Sequence, residues 1–293
     1  MSALETIRVS SLGLPLVCHV AGPRDAPPVV LLHGFLDTGS AFEPVARALS
    51  ATHRVLALDQ RGFGLSAHLG PGGYYHFPDY LLDLDALFRA EIPHKAVIVG
   101  HSMGATIACY FAGAFPERAR AMVLLDGIGP PAGPPPERHP DVLRGFIEDV
   151  RRHEQHTDSG APDLDAMARR IGRLSTRAEP RRLSALARAA SVEGPDGRWR
   201  WRFDPLHRTR GPIPFDPVRF RAFLARITCP SLLLWAEDSP MRVSDEAERC
   251  AALRDLTVQT LAGVGHNMHH ERPEAVAEAI SGFVASLGPE PAP

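Results

Sequence analysis

The 293-residue sequence predicts an α/β protein with a mostly parallel sheet that helices cover on both faces. Short apolar runs alternate with longer stretches of helical periodicity along most of the chain. Most of these runs are hydrophobic at consecutive positions, which is typical of strands buried on both faces, as in parallel sheets. One long segment in the second half of the chain breaks this alternation, and it predicts an insertion into the α/β core.

The predicted elements follow one another in a regular order. The predicted strands are residues 15–20, 29–32, 54–58, 96–99, 121–125, 231–235 and 257–261, the last with a more alternating pattern. The predicted helices of the core are residues 41–49, 80–91, 105–115, 245–253 and 274–287. Pro273 precedes the last of these helices and suits its first turn.

Residues 129–216 contain no convincing buried strand and are predicted to form a helical lid. Prolines lie at both borders, and helical patterns cover residues 142–153, 164–174 and 181–190. Trp199, Trp201 and Phe203 then alternate with arginines. This alternation fits aromatic walls of an acyl pocket and equally a half-buried hairpin. The predicted division is a core of residues 1–128 and 217–293 and a lid of residues 129–216.

Composition excludes several classes of protein. The formal net charge of −2 leaves no basic excess for binding nucleic acid. No run of eighteen apolar residues predicts a membrane span, and the first nine residues lack an apolar signal core, so we expect a cytoplasmic protein. The four cysteines form no C-x-x-C pair, which argues against disulfides or a zinc site. No cofactor or metal is predicted, and both a monomer and a homodimer are compatible with the sequence.

The pentapeptide Gly100-His101-Ser102-Met103-Gly104 is the first motif that carries chemistry. It directly follows a predicted buried strand and precedes a predicted helix, the setting that a nucleophile elbow requires. A serine on such a tight turn needs small neighbours two residues away, and Gly100 and Gly104 meet this need. The helix start behind Ser102 supplies N–H groups where negative charge develops. Ser102 is therefore the candidate nucleophile.

The second motif, His33-Gly34-Phe35, follows the predicted strand 29–32. The backbone N–H of Phe35 is expected to point into the same pocket as the N–H of Met103. Two such donors would form an oxyanion hole. His33 and His101, which lie in these two motifs, are predicted as pocket residues together with Trp199 and Trp201.

These motifs, with residues 59–66 (DQRGFGLS) and 263–266 (GVGH), resemble the α/β-hydrolase superfamily in order and spacing. The resemblance covers the chain apart from the lid. It implies an eight-stranded, mostly parallel sheet with the lid inserted after the sixth strand. It also implies a catalytic His in the loop after the final strand, following a pair of small residues. His266 matches this position, although His269 and His270 lie close by.

The acid of the implied triad has two candidates. In most family members it is an Asp after the strand that corresponds to residues 231–235, but Ser239 stands in that place, with Asp238 one residue early. Some members, such as the haloalkane dehalogenases, carry the acid after the previous core strand, where this chain has Asp126. We favour Asp126 and keep Asp238 as the alternative. Either would orient His266 and stabilise its protonated form.

A serine nucleophile implies acyl transfer and excludes the related haloalkane dehalogenases and epoxide hydrolases, which use an Asp there. The sequence thus predicts a serine hydrolase that acts on a small-molecule acyl substrate such as a carboxylic ester. Residues 199–205 (WRWRFDP) and 125–130 (LDGIGP) are similar to the serine hydrolase-like protein group. A C–C bond hydrolase, a perhydrolase of the haloperoxidase type, a lyase and a non-catalytic ligand-binding protein remain alternatives on this scaffold.

Overall fold

The computed structural model of the chain describes residues 4–155 and 158–288. Its strands are β1 (Glu5–Ser11), β2 (Leu14–Ala21), β3 (Pro28–Leu32), β4 (Arg54–Asp59), β5 (Ala96–His101), β6 (Ala119–Leu125), β7 (Ser191–Glu193), β8 (Trp199–Trp201), β9 (Ser231–Ala236) and β10 (Leu256–Leu261). Its α-helices are α1 (Glu43–Leu49), α2 (Phe77–Glu91), α3 (Met103–Ala114), α4 (His139–Glu154), α5 (Leu164–Gly172), α6 (Pro180–Ala190), α7 (Pro217–Leu224), α8 (Glu246–Ala252), α9 (Met268–Glu271) and α10 (Pro273–Ser286).

Eight strands form one sheet in the order β1-β2-β4-β3-β5-β6-β9-β10. The pairs from β4 to β10 are parallel, whereas β2 is antiparallel to both β1 and β4. The predicted α/β-hydrolase fold with an eight-stranded sheet is confirmed. β1 was missing from the strand prediction because it is an edge strand, in which only Val9 and Ser11 are buried. Its residues do not form the continuous apolar run by which the central strands were found.

Neighbouring residues of the central strands pack against opposite layers of helices. Val29 and Leu31 of β3 belong to a core cluster that includes the buried side chains of α1 and α10. Val30 and Leu32 belong to the other cluster, with those of α2, α3 and α7. Because helices exclude water from both faces of the sheet, each such side chain contributes roughly 1.5–3 kcal/mol to the free energy of folding through its burial. This double burial explains the continuous apolar runs in the sequence.

Residues 129–216 connect β6 to the last two strands of the sheet. They contain α4, α5 and α6, and β7 and β8 pair as a small antiparallel hairpin. Ala161, Met167, Ala168 and Ala187 form a separate small core in this segment, against which Trp199 and Trp201 pack. The segment thus has the helical content expected of it. Its function as a lid and the limits 129 and 216 stay predictions.

Among the described residues, no helix is long and apolar enough to span a membrane.

Candidate active site

Ser102 lies on a strained turn between β5 and α3. Its backbone has φ 52° and ψ −110°, a conformation that is costly for a residue with a side chain. A Cβ atom at Gly104 would overlap the carbonyl oxygen of Leu32, and one at Gly100 would overlap Gly104, so glycine is required at both positions. α3 begins at Met103, two residues before its predicted start. The side chain of Ser102 therefore stands directly at the helix N-terminus.

The loop after β3 packs against the nucleophile. A Cβ atom at Gly34 would lie 3.3 Å from the Cβ of Ser102 and 2.6 Å from Nδ1 of His101. The next residue, Phe35, is half exposed. The N–H of Met103 belongs to the first turn of α3 and has no acceptor within the helix. The residues predicted to form an oxyanion hole therefore lie on two segments that meet at Ser102.

His266 contacts Asp126, the favoured candidate for the acid. Nδ1 of His266 lies 2.7 Å from Oδ2 of the fully buried Asp126. The carboxylate accepts two further hydrogen bonds, from the N–H of Ala236 to Oδ1 (2.8 Å) and from the hydroxyl of Ser239 to Oδ2 (2.8 Å). Because these bonds fix the carboxylate, it can hold the imidazole with Nδ1 protonated and Nε2 free to accept a proton.

Asp238, the alternative acid, lies outside this arrangement. Its side chain is 56% exposed and forms an ion pair with Arg177. Ser239, the next residue, bonds to the carboxylate of Asp126 instead of replacing it. The structure thus brings Asp126, and not Asp238, into contact with His266.

His101 joins the nucleophile turn to the loop of His266. Nε2 of His101 lies 2.9 Å from the backbone oxygen of His266, and the two rings are 4.7 Å apart. His101 directly precedes Ser102, so this contact brings the two loops together. Within the described residues, Ser102 and His266 form no side-chain hydrogen bond. In hydrolytic enzymes without substrate such bonds are often long and tighten on binding.

A cluster of histidines around Asp37 lies beside this site. Nε2 of His269 and Nε2 of His270 lie 2.9 and 3.0 Å from Oδ2 of Asp37. Burial lowers the pKa of His269 to about 3 and that of His101 well below its usual value. Burial alone would raise the pKa of Asp37, but the neighbouring His270 and His269 hold it well below its usual range. In the sequence, His269 and His270 stand out only as neighbours of His266, and no motif predicts their contacts with Asp37.

A turn in residues 174–177 connects the inserted segment to the loop of His266. The fully buried Ser175 places its hydroxyl 3.0 Å from Nδ1 of His270. The amide of Asn267 donates to the backbone oxygen of Leu174 (3.2 Å) and to the hydroxyl of Ser175 (3.1 Å). No sequence motif pointed to these contacts, because they join residues more than ninety positions apart.

The remaining predicted pocket residues occupy different surroundings. His33 is fully buried, with Nδ1 donating to the backbone oxygen of Gly34 and Nε2 accepting from the N–H of Gln60. Trp201 lines a cavity of about 470 Å³, the lining residues of which include neither Trp199 nor Ser102. His33 and His101 are both buried in this structure. Substrate contact by His33, His101, Trp199 and Trp201 therefore stays a prediction.

This fold and this site place the chain among the α/β hydrolases. The family model described as "Alpha/beta hydrolase family" matches residues 29–279. The chain belongs to that family.

Similar proteins include hydrolases. A serine hydrolase-like protein of Danio rerio is 37% identical over 111 residues, which are 38% of this chain and 34% of that protein. The chain therefore matches about a third of the length of this relative. The 2-(acetamidomethylene)succinate hydrolase of Mesorhizobium japonicum is 27% identical over 275 residues, 92% of each protein. A crystal structure of a hypothetical protein from Pseudomonas aeruginosa PAO1 has a TM-score of 0.87 and 28% identity, and the alignment covers 96% of this chain and 100% of that one.

Proposed function

We propose that this chain is a serine hydrolase that cleaves carboxylic esters or related acyl compounds through an acyl-enzyme. The observation that carries the proposal is the position of Ser102, on a strained turn at the N-terminus of α3, next to His101, which contacts the backbone of His266. The side chain of His266 in turn contacts the buried carboxylate of Asp126. In this setting the serine is the nucleophile, His266 can act as its base, and the helix N-terminus supplies positive potential where negative charge develops. The roles assigned are Ser102 as nucleophile, His266 as base and Asp126 as acid.

In the first half of the reaction, Oγ of Ser102 attacks the substrate carbonyl carbon while Nε2 of His266 takes its proton. The carbonyl oxygen gains negative charge, which the N–H groups of Phe35 and Met103 stabilise. Asp126 stabilises the imidazolium through Nδ1. His266 then gives the proton to the leaving oxygen, so the alcohol departs and the acyl group stays on Ser102.

In the second half, a water molecule attacks the acyl-enzyme while His266 takes a proton from it. Collapse of the second tetrahedral intermediate breaks the bond between the acyl carbon and Oγ. The proton returns to Ser102, and the acid product is released. The N–H donors of an oxyanion hole lower the activation barrier because they bind the substrate oxygen most strongly when it carries negative charge in the transition state. Each such donor is worth about 3–4 kcal/mol.

The relatives support hydrolysis and leave the substrate open. The Mesorhizobium japonicum relative hydrolyses 2-(acetamidomethylene)succinate according to its name, and its match spans nearly the whole chain. The segment 129–216 is proposed as the lid that selects the acyl group. A panel of p-nitrophenyl esters of increasing acyl length measures this selectivity.

A fluorophosphonate probe tests the proposed nucleophile directly, because it phosphonylates an activated serine. We expect stoichiometric labelling of the wild-type protein and loss of both labelling and ester hydrolysis in Ser102→Ala. The matched control is Ser184→Ala, since Ser184 is exposed on α6 and its hydroxyl only bonds to Pro180 within that helix.

Labelling should persist in the Ser184→Ala protein at the wild-type rate. If folded wild-type protein is not labelled, or Ser102→Ala is labelled equally, the chain is not an active serine hydrolase of this kind. Ester turnover that survives in Ser102→Ala would point to another nucleophile.

A further inference from the structure

We propose that Asp37, His101 and His269 bind one divalent transition-metal ion such as Zn²⁺, and that the bound ion inhibits the neighbouring active site. One ligand atom from each of these three residues lies within 4.8 Å of the others. Two imidazoles and a carboxylate are a common zinc ligand set, and three protein ligands leave one coordination position open. None of the four cysteines takes part, so the cysteine pattern of the sequence could not reveal this site.

The distances are compatible with coordination after small side-chain movements. Zinc lies about 2.0–2.2 Å from nitrogen and oxygen ligands, so tetrahedral ligand atoms are about 3.4 Å apart. The three ligand atoms lie within 4.8 Å of one another, and shifts of about 1 Å bring them to that spacing. The three residues lie on different segments (the loop after β3, the end of β5 and α9), and an ion would join them.

An unpartnered ring nitrogen of His101 gives a second, independent indication. Nδ1 of His101 is buried and has no hydrogen-bond partner among the described residues. Nε2 of the same ring faces the backbone oxygen of His266. Nε2 of His101 therefore carries the proton and Nδ1 a lone pair, the form in which imidazole binds a metal. His269 would bind the same ion through Nε2, which lies 2.9 Å from Oδ2 of Asp37. Nδ1 of His101 also faces Gly34, on the loop that carries Asp37.

The position of the cluster explains why an ion here would inhibit. His101 precedes the nucleophile, and Asp37 lies two residues after the oxyanion residue Phe35. Drawing these side chains together displaces both the nucleophile turn and the oxyanion loop. Displacements of about 1 Å at an active site lower turnover by up to about a hundredfold. The inhibition rests on the proposed function, whereas the binding does not.

Binding is measured by titrating tag-free protein with Zn²⁺ in a calorimeter. We expect one tight site in the wild-type protein and in His266→Ala, which removes the imidazole of the proposed base as a competing ligand. His269→Gln removes one ligand and should weaken binding at least about tenfold. The matched control is His270→Gln, because His270 also contacts Asp37 but is not one of the three clustered ligands. It should bind Zn²⁺ as the wild type does.

Two further measurements complete the test. X-ray absorption spectra of the zinc-loaded His266→Ala protein should show two imidazole ligands and a carboxylate, whether or not His269→Gln folds. Zn²⁺ should lower kcat/KM of ester hydrolysis about tenfold or more, with full recovery on adding EDTA. Any of three results would overturn the proposed site. These are the absence of a stoichiometric site, a spectrum without imidazole ligands, and binding that is lost in His266→Ala but kept in His269→Gln. Tight binding at the cluster without a change in turnover would overturn the inhibition alone.

Discussion

Asp126 illustrates how a single side chain depends on its backbone. Its φ of 50° places it in the left-handed region directly after β6, which turns the carboxylate toward the end of β9. There it meets the N–H of Ala236, the hydroxyl of Ser239 and the ring of His266. A buried carboxylate is stable only when hydrogen bonds or charges compensate its lost hydration, and these three partners provide that compensation.

We expect Asp126→Asn to lower kcat of ester hydrolysis by about 10³–10⁴-fold, because an amide donor opposite Nδ1 favours the wrong tautomer of His266. Asp238→Asn is the matched control, as it is isosteric and affects an exposed ion pair with Arg177. It should change kcat less than about threefold, since exposed ion pairs are worth under about 1 kcal/mol. Steady-state kinetics of both variants, with folding checked by circular dichroism, decide the assignment. A larger loss in Asp238→Asn would reverse it.

At the scale of elements, the turn 174–177 and the loop 266–271 behave as one connected unit. Ser175 bonds to His270, His270 bonds to Asp37, and Asp37 lies on the loop that carries Phe35. This chain of hydrogen bonds links the inserted segment to the oxyanion loop. The position of the insertion is thereby coupled to two segments of the proposed active site.

Ser175→Ala should lower the free energy of unfolding by about 1–2 kcal/mol, because it leaves buried partners of the hydroxyl unsatisfied. It should also lower kcat/KM, since the loop of His266 loses two of its hydrogen bonds to the insertion, those of His270 and Asn267 with the Ser175 hydroxyl. Urea denaturation and ester kinetics measure the two effects. In Ser184→Ala, which removes an exposed hydroxyl from α6, both quantities should stay close to wild type. Equal effects of the two substitutions would contradict a special role for the buried turn.

At the scale of the whole molecule, the end of the inserted segment is anchored to the core by His207. Its ring stacks on Phe63 at a centroid distance of 4.0 Å, and Nδ1 lies 3.3 Å from the hydroxyl of Tyr80. Burial lowers the pKa of His207 to about 4, against the partial opposition of Asp204. The folded protein therefore holds this imidazole neutral over a range in which the unfolded chain protonates it.

Stability should accordingly fall as the pH is lowered from about 6.5 toward 4. In that window the unfolded state binds a proton that the folded state does not, so the free energy of unfolding decreases with falling pH. For His207 the loss between pH 7.5 and 5 is up to about 2 kcal/mol. Urea unfolding of the wild type and of His207→Phe at both pH values isolates the contribution of His207. The pH dependence due to the other titratable groups is common to both proteins and cancels in the difference. An identical pH dependence in the two proteins would contradict the assignment.

Much of the fold could be predicted from local patterns. Continuous apolar runs revealed the central strands because those strands are buried on both faces, and the glycines around Ser102 revealed the elbow because its geometry excludes larger side chains. The edge strand β1 was missed, since one-sided burial leaves no such run. Each successful prediction rests on a constraint that acts within a few residues.

By itself, then, the sequence determined the α/β architecture and identified Ser102 as the candidate nucleophile, because periodicity and turn chemistry are local properties. Only the tertiary structure decided which acid meets His266, since Asp126 and Asp238 are 140 and 28 positions away from it and a one-residue change on a loop redirects a carboxylate. It alone assembled Asp37, His101 and His269, which come from three separate segments. Contacts between distant positions are set by the packing of whole elements, and no local pattern encodes them.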